Sequence, residues 1–344
     1  MIQRWDPCFR WISNSTAEEC TTLWLIVQAP QATRAMFNYL AIKYTEFLIM
    51  KSTINRVYLP AKVTKLDMQD CRPFELVLSD GNEFALESFS LRNSSLLRWP
   101  IGFHKLTNMH TLRLTDLGNL MVNLSDFNGL KSLERVFVVR TQMILQIANH
   151  ITMENLEVLT ICCLEQISFR DWSLPKLKEL MLSFGRLKSI PSDINRFRNL
   201  EGLYAYKNMI EAVNFDDFYG LDRLINLDLH KNRIFKLTAS IPMRFSRLQE
   251  LDLHHNLISN VHAISDLLDL PELQRFHLSF NNLRRYDGPF RWVKLEEVIL
   301  VGNPLSCDWL KEELEERHSV IKDLPQITQL LCWKPIVTRV KIVD

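Results

Sequence analysis

Glycine is scarce in this 344-residue chain, at 9 residues, and no Gly-rich loop of the kind that cradles phosphate is present. G-x-S-x-G, H-E-x-x-H and C-x-x-C are missing as well. With no catalytic grammar the chain reads as a non-enzyme that needs no cofactor. Charge of one sign is lacking too: 41 Lys and Arg face 40 Asp and Glu, for a net +1, and no basic cluster stands out, which argues against nucleic acid as a partner. No apolar run approaches the roughly 18 residues of a membrane span. The final KPIVTRVKIVD is too polar and short for a lipid-anchor signal. A clear secretory signal is absent, because the apolar LWLIVQAPQA (Leu23 to Ala32) is short and follows Asp6, Glu18 and Glu19. Either the protein stays inside the cell or the gene starts upstream of Met1.

What the chain does have is a recurring phrase. LINLDLHKNRI, LQELDLHHNLI, LQRFHLSFNNL and LEEVILVGNPL begin at Leu224, Leu248, Leu273 and Leu295. Each fits L-x-x-L-x-L-x-x-N-x-L, and the spacing of roughly 24 residues with this pattern is the signature of a leucine-rich repeat. Fainter copies start at Tyr44, Val63, Leu86, Met109, Leu133, Leu156, Leu177 and Leu200. The expected fold is therefore an α/β solenoid, a leucine-rich repeat horseshoe with a parallel sheet on its concave face and a cap at each end. Residues 1–43 are expected to form an N-terminal cap, with a hairpin or a helix over Thr21 to Leu40, whose Trp5, Trp11 and Trp24 cover the first coil. About twelve repeats follow over 44–305, then a cysteine-containing cap over 306–333 and a tail over 334–344.

Residues 3 to 5 of each repeat should form a short strand, whose side chains alternate between faces. Positions 4 and 6 then point into the core and positions 5 and 7 point outward. Asn at position 9 is placed to satisfy backbone groups inside the turn. Asn208, Asn232, Asn256, Asn281 and Asn303 fill that slot. Ser52, Cys71, Ser94, Leu117, Thr141, Leu164 and Gly185 replace it in the early repeats, so the early half is expected to be less regular and easier to open.

The outward columns give a candidate partner-binding surface on the concave face: Tyr204, Tyr206, Asp228, His230, Asp252, His254, His255 and His277. Histidine titrates near neutrality and ligates metals, so the patch is a candidate for pH-sensitive recognition. Metal is the weaker reading of it, and no metal residue is assigned. Upstream, Phe137, Val139, Thr160, Cys162, Met181 and Phe184 make the same face apolar, and Cys162 and Cys163 fall where exposure is expected.

Seven cysteines leave two readings. Cys8 and Cys20 precede the repeats and Cys307 and Cys332 follow them, as in a disulfide-capped extracellular solenoid; the other reading is seven reduced thiols. Asn14, Asn93 and Asn123 head N-x-[ST] sequons and are candidate glycosylation sites.

Irregular early repeats, regular late ones and the closing N-P-x-x-C-D-W-L (Asn303 to Leu310) resemble secreted insect leucine-rich repeat proteins, above all the mosquito leucine-rich immune molecules. This chain would be a short form, without the C-terminal coiled coil. The resemblance implies one bridge in the C-terminal cap, between Cys307 and Cys332, where the family pattern carries four cysteines. It further implies an extracellular, non-enzymatic recognition or scaffold glycoprotein in innate immunity, binding a protein ligand, with a dimer left open. The rival expectation is a cytoplasmic leucine-rich repeat adaptor, a substrate receptor or regulatory subunit. Residues 1–43 offer no L-P-x-E-type recruiting motif for that role.

Overall fold

The computed structural model describes residues 33–71, 74–78, 83–117, 122–140, 150–286 and 294–310, and the backbone alone of 2–5 and 22–27. Cys8, Cys20, Cys332, Asn14 and Trp11 lie outside the described residues, as do the side chains of Trp5 and Trp24. The chain divides into two compact units, residues 1–182 and 183–344.

In the first unit, Ile2–Trp5 pairs antiparallel with Thr22–Val27, which in turn pairs parallel with Glu46–Met50. Lys65–Gln69, Ser88–Arg92, Thr111–Thr115, Arg135–Val139, Val158–Ile161 and Glu179–Met181 then add in order, all parallel. The second unit repeats the scheme with Gly202–Tyr204, Asn226–Asp228, Glu250–Asp252, Arg275–His277 and Glu297–Ile299. Each repeat strand starts at the third residue of its repeat. Partners sit at equal repeat positions: Leu227 faces Leu251, Leu251 faces Phe276, and Phe276 faces Val298. This is a parallel-sheet solenoid, and its class is that of leucine-rich repeats.

Alternation along each strand builds the core. Leu227, Leu229, Leu251, Leu253, Phe276, Leu278, Val298 and Leu300 are all buried, and each contributes on the order of 1.5–3 kcal/mol by leaving water. The opposite side of each coil is made of brief pieces. Turns of 3-10 helix span Leu124–Phe127, Ser192–Arg196 and Phe215–Phe218, and a single α-helical turn spans His262–Leu267. Two-stranded pairs such as Ala212–Asn214 with Lys236–Thr238 fill the remainder. Asn123 and Asn214 start two of the 3-10 turns by accepting from Ser125 N and Asp216 N.

The Asn slot does more than fill one turn. Asn232 Nδ2 donates to Leu229 O at 2.9 Å in its own coil and to Ala205 O at 3.0 Å in the previous one. Its Oδ1 accepts from Ile210 N at 3.1 Å. Asn256, Asn281 and Asn303 make the same three bonds one coil further on each time. In the first unit Ser94 Oγ takes Cys71 N at 3.0 Å and gives to Arg92 O at 2.9 Å, and Ser52 Oγ takes the nearby Ile54 N at 3.2 Å. A hydroxyl reaches fewer groups than an amide.

Position 8 holds a feature that leucine spacing does not announce. Its backbone is left-handed in repeat after repeat: Lys51, Asp70, Asn93, Asp116, Arg140, Cys163, Phe184, Lys207, Lys231, His255 and Phe280 all have φ between 44° and 69°, and Gly302 has φ 75°. This is where each strand breaks into its turn. Among these residues Gly302 alone pays no steric cost for the conformation.

One expectation is corrected here. Cys162 is 5% exposed, not surface-facing, because its Sγ lies against the preceding coil and accepts from Arg140 N at 2.7 Å. Thr160, in the strand Val158–Ile161 just before it, is buried as well.

Candidate functional site

Four of the expected surface residues, Tyr206, His230, His254 and His277, come together as one continuous ring stack in the second unit. Parallel strands set equivalent positions side by side at about 4.8 Å, close to the contact distance of flat rings. Tyr206 lies on His230 with centroids 4.5 Å apart and planes 10° apart. His230 lies on His254 at 4.4 Å and 7°, and His254 on His277 at 4.5 Å and 27°. Phe184 meets the edge of Tyr206 at 5.3 Å. His255, on the neighbouring position-8 column, is T-shaped to His254 at 5.2 Å and stacks flat on Phe280 at 4.3 Å. Tyr204 leans over Gly202, where a Cβ would come within 2.8 Å of the ring.

The carboxylates orient these rings. Two residues apart on a strand, Asp228 and His230 share a face, and Asp228 Oδ1 sits 2.6 Å from His230 Nδ1 while accepting from His230 N at 3.1 Å. Asp252 holds His254 the same way, at 2.6 and 3.0 Å. In the neutral rings the proton therefore sits on Nδ1, leaving Nε2 as the accepting atom. His277 turns its Nδ1 toward Asp252 at 3.6 Å and its Nε2 to Ser279 Oγ at 2.8 Å. Asp252 thus serves two imidazoles.

Burial alone would raise the Asp252 carboxyl, but the His277 ring and the backbone and ring of His254 outweigh it and hold the group at about 2. Burial lowers His254 below the ordinary imidazole value against the pull of Asp252, and the charges of His277 and His230 deepen the depression. His255 is lowered by burial first, then by Lys231, His230 and His277. A proton added to His254 or His255 is therefore opposed by the rings beside it.

His230, Asp252 and His254 each offer one possible ligand atom, all within 4.8 Å of one another. Zinc requires donors at about 2.0–2.1 Å converging on one point. The 7° between the His230 and His254 planes aims their lone pairs side by side instead. As it stands the group is a stack, not a chelate.

In the first unit, Phe137 lies under the Arg113 guanidinium at 4.7 Å. Asn93 is exposed, with its amide donating to Asp70 Oδ1 at 2.7 Å. Asn123 is half-buried and capping a 3-10 turn. Cys307 is disulfide-bonded, and Cys71, Cys162 and Cys163 are free thiols. Trp309 and Leu310, which follow Cys307, are buried.

The model of the family described as leucine rich repeat matches residues 222–283, the segment that carries most of the stack. The chain is a leucine-rich repeat protein. It is 23% identical to mouse lumican over 297 residues, covering 78% of this chain and 79% of lumican. It is 30% identical over 146 residues to human leucine-rich repeat-containing protein 66, covering 42% of this chain but only 15% of that protein. Among solved structures, the LRIM1/APL1C complex overlays with a TM-score of 0.54 and 16% identity, over 90% of this chain and 66% of that one. Among the described residues of this leucine-rich repeat chain, no helix is long and apolar enough to cross a membrane.

Proposed function

We propose that this chain is a non-enzymatic recognition or scaffold protein that works outside the cell. A protein partner docks on the outward sheet face of the second unit, at Tyr204, Tyr206, Asp228, His230, Asp252, His254, His255 and His277. The observation that carries this reading is the unbroken ring stack from Phe184 through Tyr206, His230 and His254 to His277. Rings held by their neighbours and by carboxylates lose little freedom when a partner lands on them, and that preorganisation is what raises affinity. Lumican, as a relative over most of both chains, and LRIM1, solved in complex with APL1C, support a binding role. Innate defence is the setting that the resemblance to mosquito immune molecules implies, with a Cys307–Cys332 bridge, a cap over Cys8 and Cys20, and glycans at Asn14, Asn93 and Asn123 as the matching extracellular chemistry.

The test compares the full chain with the double substitution His230→Ala, His254→Ala as bait in extracellular fluid of the source organism, with retained proteins quantified by mass spectrometry. A partner held by the native chain is expected to drop at least about tenfold, the equivalent of 1.4 kcal/mol, with far-UV circular dichroism unchanged. Equal retention by both baits removes this face as the docking surface. Free thiols at Cys307 and Cys332 in the natural protein would remove the extracellular reading.

A further inference from the structure

The left-handed residue at position 8 has a chemical outcome in one repeat. On a regular strand, neighbouring side chains point to opposite faces. Where an extended position 7 precedes a left-handed position 8, the two side chains swing to the same side. In one repeat this brings the rings of His254 and His255 to 5.2 Å, with φ of 52° at His255. In another it brings Cys162 Sγ and Cys163 Sγ to 2.9 Å, with φ of 69° at Cys163. Both thiols are free, Cys163 is exposed and Cys162 is buried. The repeat backbone, rather than any local accident, makes these sulfurs neighbours.

We propose that Cys162 and Cys163 are a redox-active vicinal pair that closes into an intramolecular disulfide by exchange with a low-molecular-weight disulfide. The exposed Cys163 thiolate attacks one sulfur of the small disulfide, whose S–S bond breaks and releases one thiolate to take up a proton. Cys162 then loses its proton and attacks Cys163 Sγ, expelling the second small thiolate, which is protonated in turn. Two protein thiols are oxidised and one small disulfide is reduced to two thiols.

The order of attack follows from position. Burial pushes the Cys162 thiol up to about 12, against the Arg140 N–H that points at its sulfur from 2.7 Å, so Cys162 is the resolving group. Its low thiolate fraction is offset by contact with its target, since a group held beside its reaction partner acts at an effective concentration far above any solute. Adjacent Cα atoms are about 3.8 Å apart, short of the roughly 4.4–6.8 Å that an ordinary disulfide spans. The closed ring is therefore easily reduced, and the pair works as a reversible switch. Open, it presents an exposed thiol able to join another molecule; closed, it presents none.

The natural full chain supplies a clean readout, because the tryptic peptide 141–170 contains Cys162 and Cys163 and no other cysteine. The reduced, folded protein is incubated with glutathione disulfide, quenched with N-ethylmaleimide and mapped by mass spectrometry. Expected is a 141–170 peptide lighter by two hydrogens, carrying neither maleimide nor glutathione, and returned to two maleimides by a mild monothiol. Cys162→Ser is expected to stop at one stable glutathione on Cys163, and Cys163→Ser to lose the reaction altogether. Two maleimides on the native peptide after exposure would overturn the proposal, as would a persisting glutathione adduct or a link to a second chain. Should Cys162→Ser fail to fold, the native peptide still decides.

Discussion

Asn232→Ala probes how the coils of the second unit are tied together. The side chain is buried, at 9% exposure, and makes three bonds of 2.9–3.1 Å and a longer one to His230 O at 3.4 Å. Its carbonyl partners keep another donor, Lys207 N at 3.0 Å in the case of His230 O. Ala205 O still receives Asn208 Nδ2 at 3.0 Å, and Leu229 O still receives Asn256 Nδ2 at 3.1 Å. Ile210 N–H does not fare as well, because its acceptor is the Asn232 Oδ1 itself. Stranding that buried donor costs about 1–3 kcal/mol, and each of the two lost carbonyl bonds about 0.5–1 kcal/mol. The expected loss is therefore about 3 kcal/mol. Urea denaturation followed by circular dichroism measures the total. Hydrogen exchange read by mass spectrometry localises it, since neighbouring coils of a repeat protein open semi-independently. Exchange is expected to speed up at Ile210 and in the two coils that Asn232 joins. A loss below about 1 kcal/mol, with Ile210 still protected, would show that the amide ladder is decorative and that the leucines alone hold the coils.

Asp252 predicts an acid limb of stability. Its folded value of about 2 lies below the ordinary 3.8, so the unfolded chain binds the proton more readily and stability falls as pH drops from about 4 through about 2. The loss attached to this group is about 2 kcal/mol, and Asp252→Asn is expected to flatten that limb in pH-dependent urea melts. His254, lowered in the folded state, adds a second decline as pH falls through the imidazole range, because protonation there favours the unfolded chain. An unaltered slope in His254→Gln would contradict it. Gly302→Ala places a Cβ 2.5 Å from the Phe280 ring at φ 75°. It is expected to cost about 1–2 kcal/mol for the left-handed backbone and more for the displaced ring, with Phe280→Ala restoring only the ring's share in a double-mutant cycle.

Leucine spacing was enough to phase the repeats, since an inward pair at positions 4 and 6 leaves no choice about which residues form the strand. It also placed Tyr206, His230 and His254 in one column, because parallel strands in register must stack like on like. Three things were not legible. The left-handed position 8 is occupied by lysine, aspartate, asparagine, arginine, cysteine, phenylalanine, histidine and glycine, so residue type does not mark the conformation from repeat to repeat. Without it, the approach of Cys162 to Cys163 and of His254 to His255 has no visible cause. The burial of Cys162 was missed for a related reason: position 7 faces outward on average, but whether the preceding coil covers it depends on side-chain reach. The orientation of the imidazoles lay out of reach as well, since an L-D-L-H string does not say whether Asp252 serves His254 alone or His277 too.

The left-handed position also bears on how such a chain can diverge. The conformational cost falls on the backbone, and every residue there but glycine bears it, so one side chain can replace another at position 8 with that cost largely already met. Across the described repeats that column has tried an acid–amide contact between Asp70 and Asn93, an ion pair between Asp116 and Arg140, a cation over a ring at Lys207 and Phe184, and two flat rings at His255 and Phe280. Each trial leaves the leucine spacing untouched. A solenoid built this way carries a line of sites along its edge that can be rewritten one coil at a time, without renegotiating the fold.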